Sequence, residues 1–135
     1  MVRSHPARRM VGFGVALLLV VAACGDDAAD PERFCEINDE LEQLDDPFEV
    51  DPDKARDVVR QGRLLLNEAV KVAPDELRDS VEVAADSFGI FLDLAESTDF
   101  DASQLDEADF EAAFSDEAIA AAQALEEWLD ANCSA

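Results

Sequence analysis

Imidazole and phenol are nearly missing from this chain. It has no tyrosine, and its one histidine is His5. A domain lying beyond that position has no Ser–His or Cys–His nucleophile pair to build. Positive charge is scarce too, with 10 Lys and Arg against 33 Asp and Glu. Nucleic-acid binding needs a basic footprint, so that class is excluded. Electrostatic adhesion to anionic lipid is excluded by the same balance. The five glycines form no phosphate-cradling loop. The longest apolar run, residues 11–23, is broken by Gly12 and Gly14. It falls short of the roughly twenty residues that a membrane-spanning helix needs.

What that run does have is flanks. Arg3, Arg8 and Arg9 precede it, and Val21-Ala22-Ala23-Cys24 closes it. A basic start, a short apolar core and small exit residues make a signal peptide. The closing tetrad resembles a bacterial lipobox, in which an aliphatic residue and two small ones precede a cysteine. The resemblance covers the first 24 residues. It implies a diacylglyceryl thioether on the Cys24 sulfur and cleavage before Cys24. Two acyl chains anchor a protein stably where one is marginal. The competing reading is an ordinary signal cut after Ala22 or Ala23, leaving a free thiol. Arg8-Arg9 is a twin arginine, but Met10-Val11 follows where that signal usually has an aromatic or leucine pair. The general secretory route is therefore expected, with the protein lipid-anchored at the cell membrane on the extracytoplasmic face.

Removing residues 1–23 takes three arginines and no acid, leaving 7 basic and 33 acidic residues and a net charge of about −26. Residues 24–30 read as an acidic tether with a reach on the order of 20 Å. Residues 31–135 suit one domain with a modest core. With Cys24 assigned to the lipid, Cys35 and Cys133 remain. An even pair in an exported chain argues for one disulfide. A zinc site is rejected, because two lone cysteines without histidine do not make a tetrahedral set. No metal or other cofactor is expected.

Apolar spacing predicts four long helices. Asp30-Pro31 starts the first, over about 31–44, with Phe34, Ile37, Leu41 and Leu44 on one face. Asp51-Pro52 starts the second, over about 52–73, with Ala55, Val58, Val59, Leu65, Leu66, Ala69 and Val70 inward. Gly62 in its middle points to a close helix approach, since glycine costs about 1 kcal/mol there relative to alanine. Ala73-Pro74-Asp75 opens the third, over about 75–97, with Leu77, Val81, Ala84, Phe88, Phe91, Leu92 and Ala95 as its main face. A second strip, Val83, Ile90 and Leu94, is expected to be covered by Phe100, Leu105, Phe110 and Phe114. Left bare, that strip would serve a partner instead. Residues 97–115 read as irregular, with a helical turn at Phe110 and Phe114. Ser115 caps the last helix, which carries Ala118, Ala121, Ala122, Leu125, Trp128 and Leu129 and ends near Asn132.

The expected fold class is all-α, an antiparallel up-and-down four-helix bundle closed by one disulfide. That topology sets Cys35 beside Cys133. One detail resists it: Cys35 lies roughly 140° from the centre of the first helix's apolar stripe. Either the tail wraps over the bundle end, or the first helix is gripped on two sides.

Three constellations bear on chemistry. Arg56, Arg60 and Arg63 lie together on the second helix and can clamp a carboxylate or phosphate. Pairing with surplus acids on neighbouring helices is the weightier reading. Asp99-Phe100-Asp101-Ala102-Ser103 alternates like the start of an EF-hand loop. Gln104 then stands where the turn needs glycine, and Phe110 stands where the bidentate glutamate belongs. Trp128, at helical spacing, reads as core rather than as a ligand platform.

The domain resembles small Ala/Asp-rich secreted proteins and lipoproteins of high-GC Gram-positive bacteria. The likeness rests on Phe34-Cys35 at its start, Ala73-Pro74-Asp75 within it, and Trp128 followed by Asn132-Cys133 at its end. It implies an all-helical, disulfide-closed domain and no activity. The expected function is therefore a non-catalytic, lipid-anchored module that binds a small ligand or an envelope protein, or serves as an accessory subunit or spacer. The alternative is an acidic lipoprotein that binds or buffers cations.

Overall fold

The computed structural model describes residues 28–133. Residues 1–23, expected to be a leader, and Cys24 lie outside the described residues. Five α-helices and two short 3₁₀ turns carry the regular structure, and no strand occurs among the described residues.

Two Asp-Pro starts behave as capping chemistry requires. Asp30 accepts the Arg33 N–H at 3.0 Å and opens α1, Pro31–Glu42. Asp51 accepts the Lys54 N–H at 3.1 Å and opens α2, Pro52–Val72. In each case the proline occupies a position whose N–H has no helical partner to lose. The third start differs from expectation. Pro74 offers no capping side chain, so the chain first makes a 3₁₀ turn at Asp75–Leu77, and α3 runs Arg78–Ser97.

The end of α3 is a Schellman motif. Phe100 N–H donates to Ala95 O at 2.8 Å, and Asp99 N–H donates to Glu96 O at 3.1 Å. Asp99 sits at φ 49° and Phe100 at φ 65°. Both are left-handed positions that favour glycine.

The connection that follows is not bare loop. Asp106 and Asp109 cap each other's backbone N–H groups, at 3.0 Å both ways, and start α4, Glu107–Ala113. Ser115 caps α5, Asp116–Asn132. The domain thus has five helices where four were expected. The fifth arises because an aspartate pair closes a capping box at the end of a long connection.

Helix directions follow from contacts at their ends. Asp30 N–H donates to Val72 O at 2.9 Å, so the start of α1 lies at the end of α2. Arg63, in α2, reaches Asp93 and Glu96 near the end of α3. Trp128 Nε1, late in α5, donates to Glu76 Oε1 at 3.0 Å, just before α3. Each of these pairs therefore runs antiparallel. Helix α3 is central, packing against α2, α4 and α5, while α1 rests on α2. Ile37, Val59 and Leu92, from three helices, are the largest fully buried side chains.

Cys35 and Cys133 form a disulfide, with Cα atoms 5.5 Å apart. Its off-stripe cysteine is explained by a two-sided grip. On one side, Arg33 pairs with Glu68 of α2. On the other, the Phe34 ring meets Trp128 of α5 edge-on, with centroids 5.7 Å apart. The second strip of α3 is covered only in part, with Val83 and Leu94 half-buried and Ile90 left out. Ile90 is 38% exposed, and Phe110 and Phe114 are about half exposed at 48% and 50%. Helix α4 is too short to cover the strip, although it does place Phe114 against Phe91.

Candidate functional site

Helices α1 and α5 are clasped at one end, and their backbones stand apart over most of their lengths, while Leu125, Trp128 and Leu129 of α5 still pack against the core that holds Phe34 and Ile37. Between them a cleft of about 720 Å³ opens. Asn38, Leu41 and Glu42 of α1 form one wall, with the fully buried Ile37 beneath them. Ala122, Leu125, Glu126 and Leu129 of α5 form the other. Ala69 of α2 and Ala84, Ala85 and Phe88 of α3 make the floor, and Cys133 marks the clasped end. The space exists because the floor and the α5 wall use alanine where four surrounding helices leave room for larger side chains. Its volume lies within the roughly 300–1,000 Å³ typical of small-ligand sites.

The lip has one sign. Asn38, Asp39, Glu42, Glu126 and Asp130 line it, and among the described residues no lysine or arginine does. Most of the bases are committed elsewhere. Arg33 takes Glu68 through a two-pronged contact at 2.7 and 2.9 Å, and also Glu40 at 2.8 Å and Glu36 at 3.1 Å. These hydrogen bonds, Glu68 first, hold the guanidinium well above its ordinary pKa, and Arg33 in turn holds the Glu68 carboxyl below its ordinary range. Lys54 pairs with Asp45 at 2.8 Å, which raises its pKa. Asp39, Glu42 and Glu126, on the cleft side, join no ion pair among the described residues. Glu42 accepts only the Asn38 amide, at 3.1 Å.

The arginine trio lies on α2, away from this cleft. Arg56 pairs with Asp53 at 2.9 Å and with Asp99 at 3.6 Å. Arg60 pairs with Asp57. Arg63 holds both Asp93 and Glu96 across the α2–α3 seam, and the Asp93 bond raises its pKa. An anion clamp made from these three must first release those carboxylates. Arg63 alone lines a second hollow, about 690 Å³, where Lys71 stands with Glu82 and Asp86. Its mixed charge contrasts with the single-signed lip of the α1–α5 cleft.

The EF-hand-like stretch spends its side chains internally. Asp101 accepts from the Ser103 hydroxyl at 2.6 Å, from the Ser103 N–H at 3.0 Å and from Gln104 at 3.1 Å. These bonds, the Ser103 hydroxyl first, lower its pKa. Among the described residues, no group of three or more His, Cys, Asp and Glu side chains is placed to hold a metal ion. No described helix is long and apolar enough to cross a membrane. Trp128 is half-buried, between the Phe34 ring and its bond to Glu76.

Sequence reasoning placed Ala69, Ala84 and Ala122 on inward faces but did not find the cleft. The readable signal was alanine at facing positions on three helices, with glutamates one turn outward. No protein-family model matches this chain, and neither does any curated protein or solved structure.

Proposed function

We propose that this protein is a lipid-tethered, extracytoplasmic binding module of the cell envelope, which takes a small apolar ligand in the cleft between α1 and α5. The observation that carries this reading is the cleft itself, about 720 Å³ with apolar walls and floor. The tether is supported by Val21-Ala22-Ala23-Cys24, whose small residues precede the cysteine to be lipidated. The reading is non-catalytic because residues 24–135 contain neither histidine nor tyrosine. In this reading α1, α2, α3 and α5 make an up-and-down bundle with one loosened seam, and α4 fills the far end.

Binding is tested on the processed chain, residues 24–135 with Cys24→Ser. The neutral dye N-phenyl-1-naphthylamine should bind saturably, with a rise in its fluorescence. Ala122→Trp should block it, since Ala122 is an exposed cleft residue where bulk can enter without disturbing the core. No saturable binding, or binding unchanged by Ala122→Trp, removes the cleft from the proposal. Lipidation is tested separately by fatty-acid labelling in bacteria, which Cys24→Ser should abolish.

A further inference from the structure

The cleft reading leaves the ligand's chemistry open, and the lip narrows it. We infer that the occupant is an amphiphilic cation, an apolar body that fills the cleft beneath a positively charged head at the lip. The inference rests on the cleft being the binding site. It goes further by assigning Glu42 and Glu126 to the head group.

Three observations converge. First, the two glutamates belong to opposite walls of the cleft, Glu42 to α1 and Glu126 to α5. Second, neither joins an ion pair among the described residues. On α1, Arg33 collects Glu36 and Glu40 and leaves Glu42 on the cleft side without a base. Third, sixteen acids and no base follow Arg78, so α5 and all of α3 beyond its first residue carry no positive charge, and Arg78 itself does not line the cleft. A carboxylate or phosphate head would meet only like charge there. A cation gains from complementary potential both on approach and when bound. The apolar body supplies the remaining affinity by burial, about 25 cal/mol per Å².

A matched trio of probes tests this: hexyltrimethylammonium, hexanol and hexanoate, each competing with N-phenyl-1-naphthylamine on the processed Cys24→Ser chain. The tails are the same and only the head differs. Hexyltrimethylammonium should displace the dye at about tenfold lower concentration than hexanol, with hexanoate the weakest. Salt raised to about 0.5 M should shrink the difference. The double variant Glu42→Gln with Glu126→Gln should cut the cation's advantage at least threefold and leave hexanol unchanged. Equal potency of the three probes overturns the inference while leaving the cleft reading standing. A cation advantage untouched by the double variant also overturns it, because the protein's overall negative field would then be the cause. If the dye itself does not bind, the cleft reading falls and the inference falls with it.

Discussion

Replacing both Cys35 and Cys133 by serine removes the cross-link without removing the contacts beside it. The closed loop has a sequence separation of 98. In the chain-entropy description, a loop of that size restricts the unfolded chain by about 4.7 kcal/mol at 25 °C. The folded side loses less. Phe34 and Ile37 stay buried at 6% and 1% exposure, and Arg33 still holds Glu68. The variant should therefore keep its helical circular dichroism and lose about 2–4.7 kcal/mol of stability in urea. For a domain of this size the midpoint of thermal unfolding should fall by roughly 4–8 °C for each kcal/mol lost. A second signature separates this cause from damage to the folded state. Without the cross-link the unfolded chain exposes more surface, so the urea m-value should rise. A loss below about 1 kcal/mol with an unchanged m-value would refute the reasoning. It would mean that the unfolded chain already keeps its ends together.

Three smaller perturbations read other parts of the fold. A Cβ at Gly62 would meet Leu92 Cδ1 at 3.4 Å, Leu44 Cδ1 at 3.6 Å and Phe88 Cε1 at 3.8 Å, all ordinary contacts. Gly62→Ala should thus stabilise the domain by about 1 kcal/mol in urea melts, and a loss would show that α2 and α3 approach too closely for a methyl group. Asp99→Gly relieves a left-handed residue at φ 49° and should add about 0.5–1 kcal/mol, while the exposed Arg56 pair at 3.6 Å offsets little of it. An unchanged or lowered urea midpoint would count against strain at that turn. The Glu68 carboxyl is held below its ordinary range by Arg33, so the contribution of the pair is present above the unfolded value of about 4.3 and is lost as pH falls through the folded one. The melting difference between Glu68→Gln and the parent should then be constant above about pH 5 and vanish in more acid solution, and a difference that survives there would show that the pair acts by packing alone.

The readable parts of this fold were those set by local chemistry. Asp30-Pro31, Asp51-Pro52 and Ser115 each supply an acceptor to the third N–H that follows, and each caps a helix. The inward positions of α2 were mostly readable because its apolar period is long: Ala55, Val58, Val59, Leu65 and Ala69 are buried, while Leu66 and Val70 are half-buried. The disulfide followed from having two cysteines to pair once Cys24 was assigned to the lipid. What escaped depends on less usual residues or on neighbours. The capping box of α4 uses aspartate at both ends, so it looked like one more acidic stretch. The turn after α3 places aspartate and phenylalanine where glycine is the usual signal. The cleft is a property of no single helix. Leu125 and Leu129 have the right period for a core, and they are half-buried because the facing wall stands off.

That standoff ties the clasp to the cleft. Larger side chains at Ala84, Ala85 and Ala122 would fill the gap between α1 and α5, and burying one leucine in place of alanine adds on the order of 2 kcal/mol. The sequence forgoes that packing along the whole seam. The contacts that tie α1 to α5 most directly lie at one end: the Phe34–Trp128 edge contact and the Cys35–Cys133 bond. Cross-link and cavity are thus two sides of one arrangement, in which a covalent clasp substitutes for side-chain packing so that space between the helices is kept. Reduction of the disulfide should accordingly weaken dye binding in the cleft at urea concentrations where the helices are still folded.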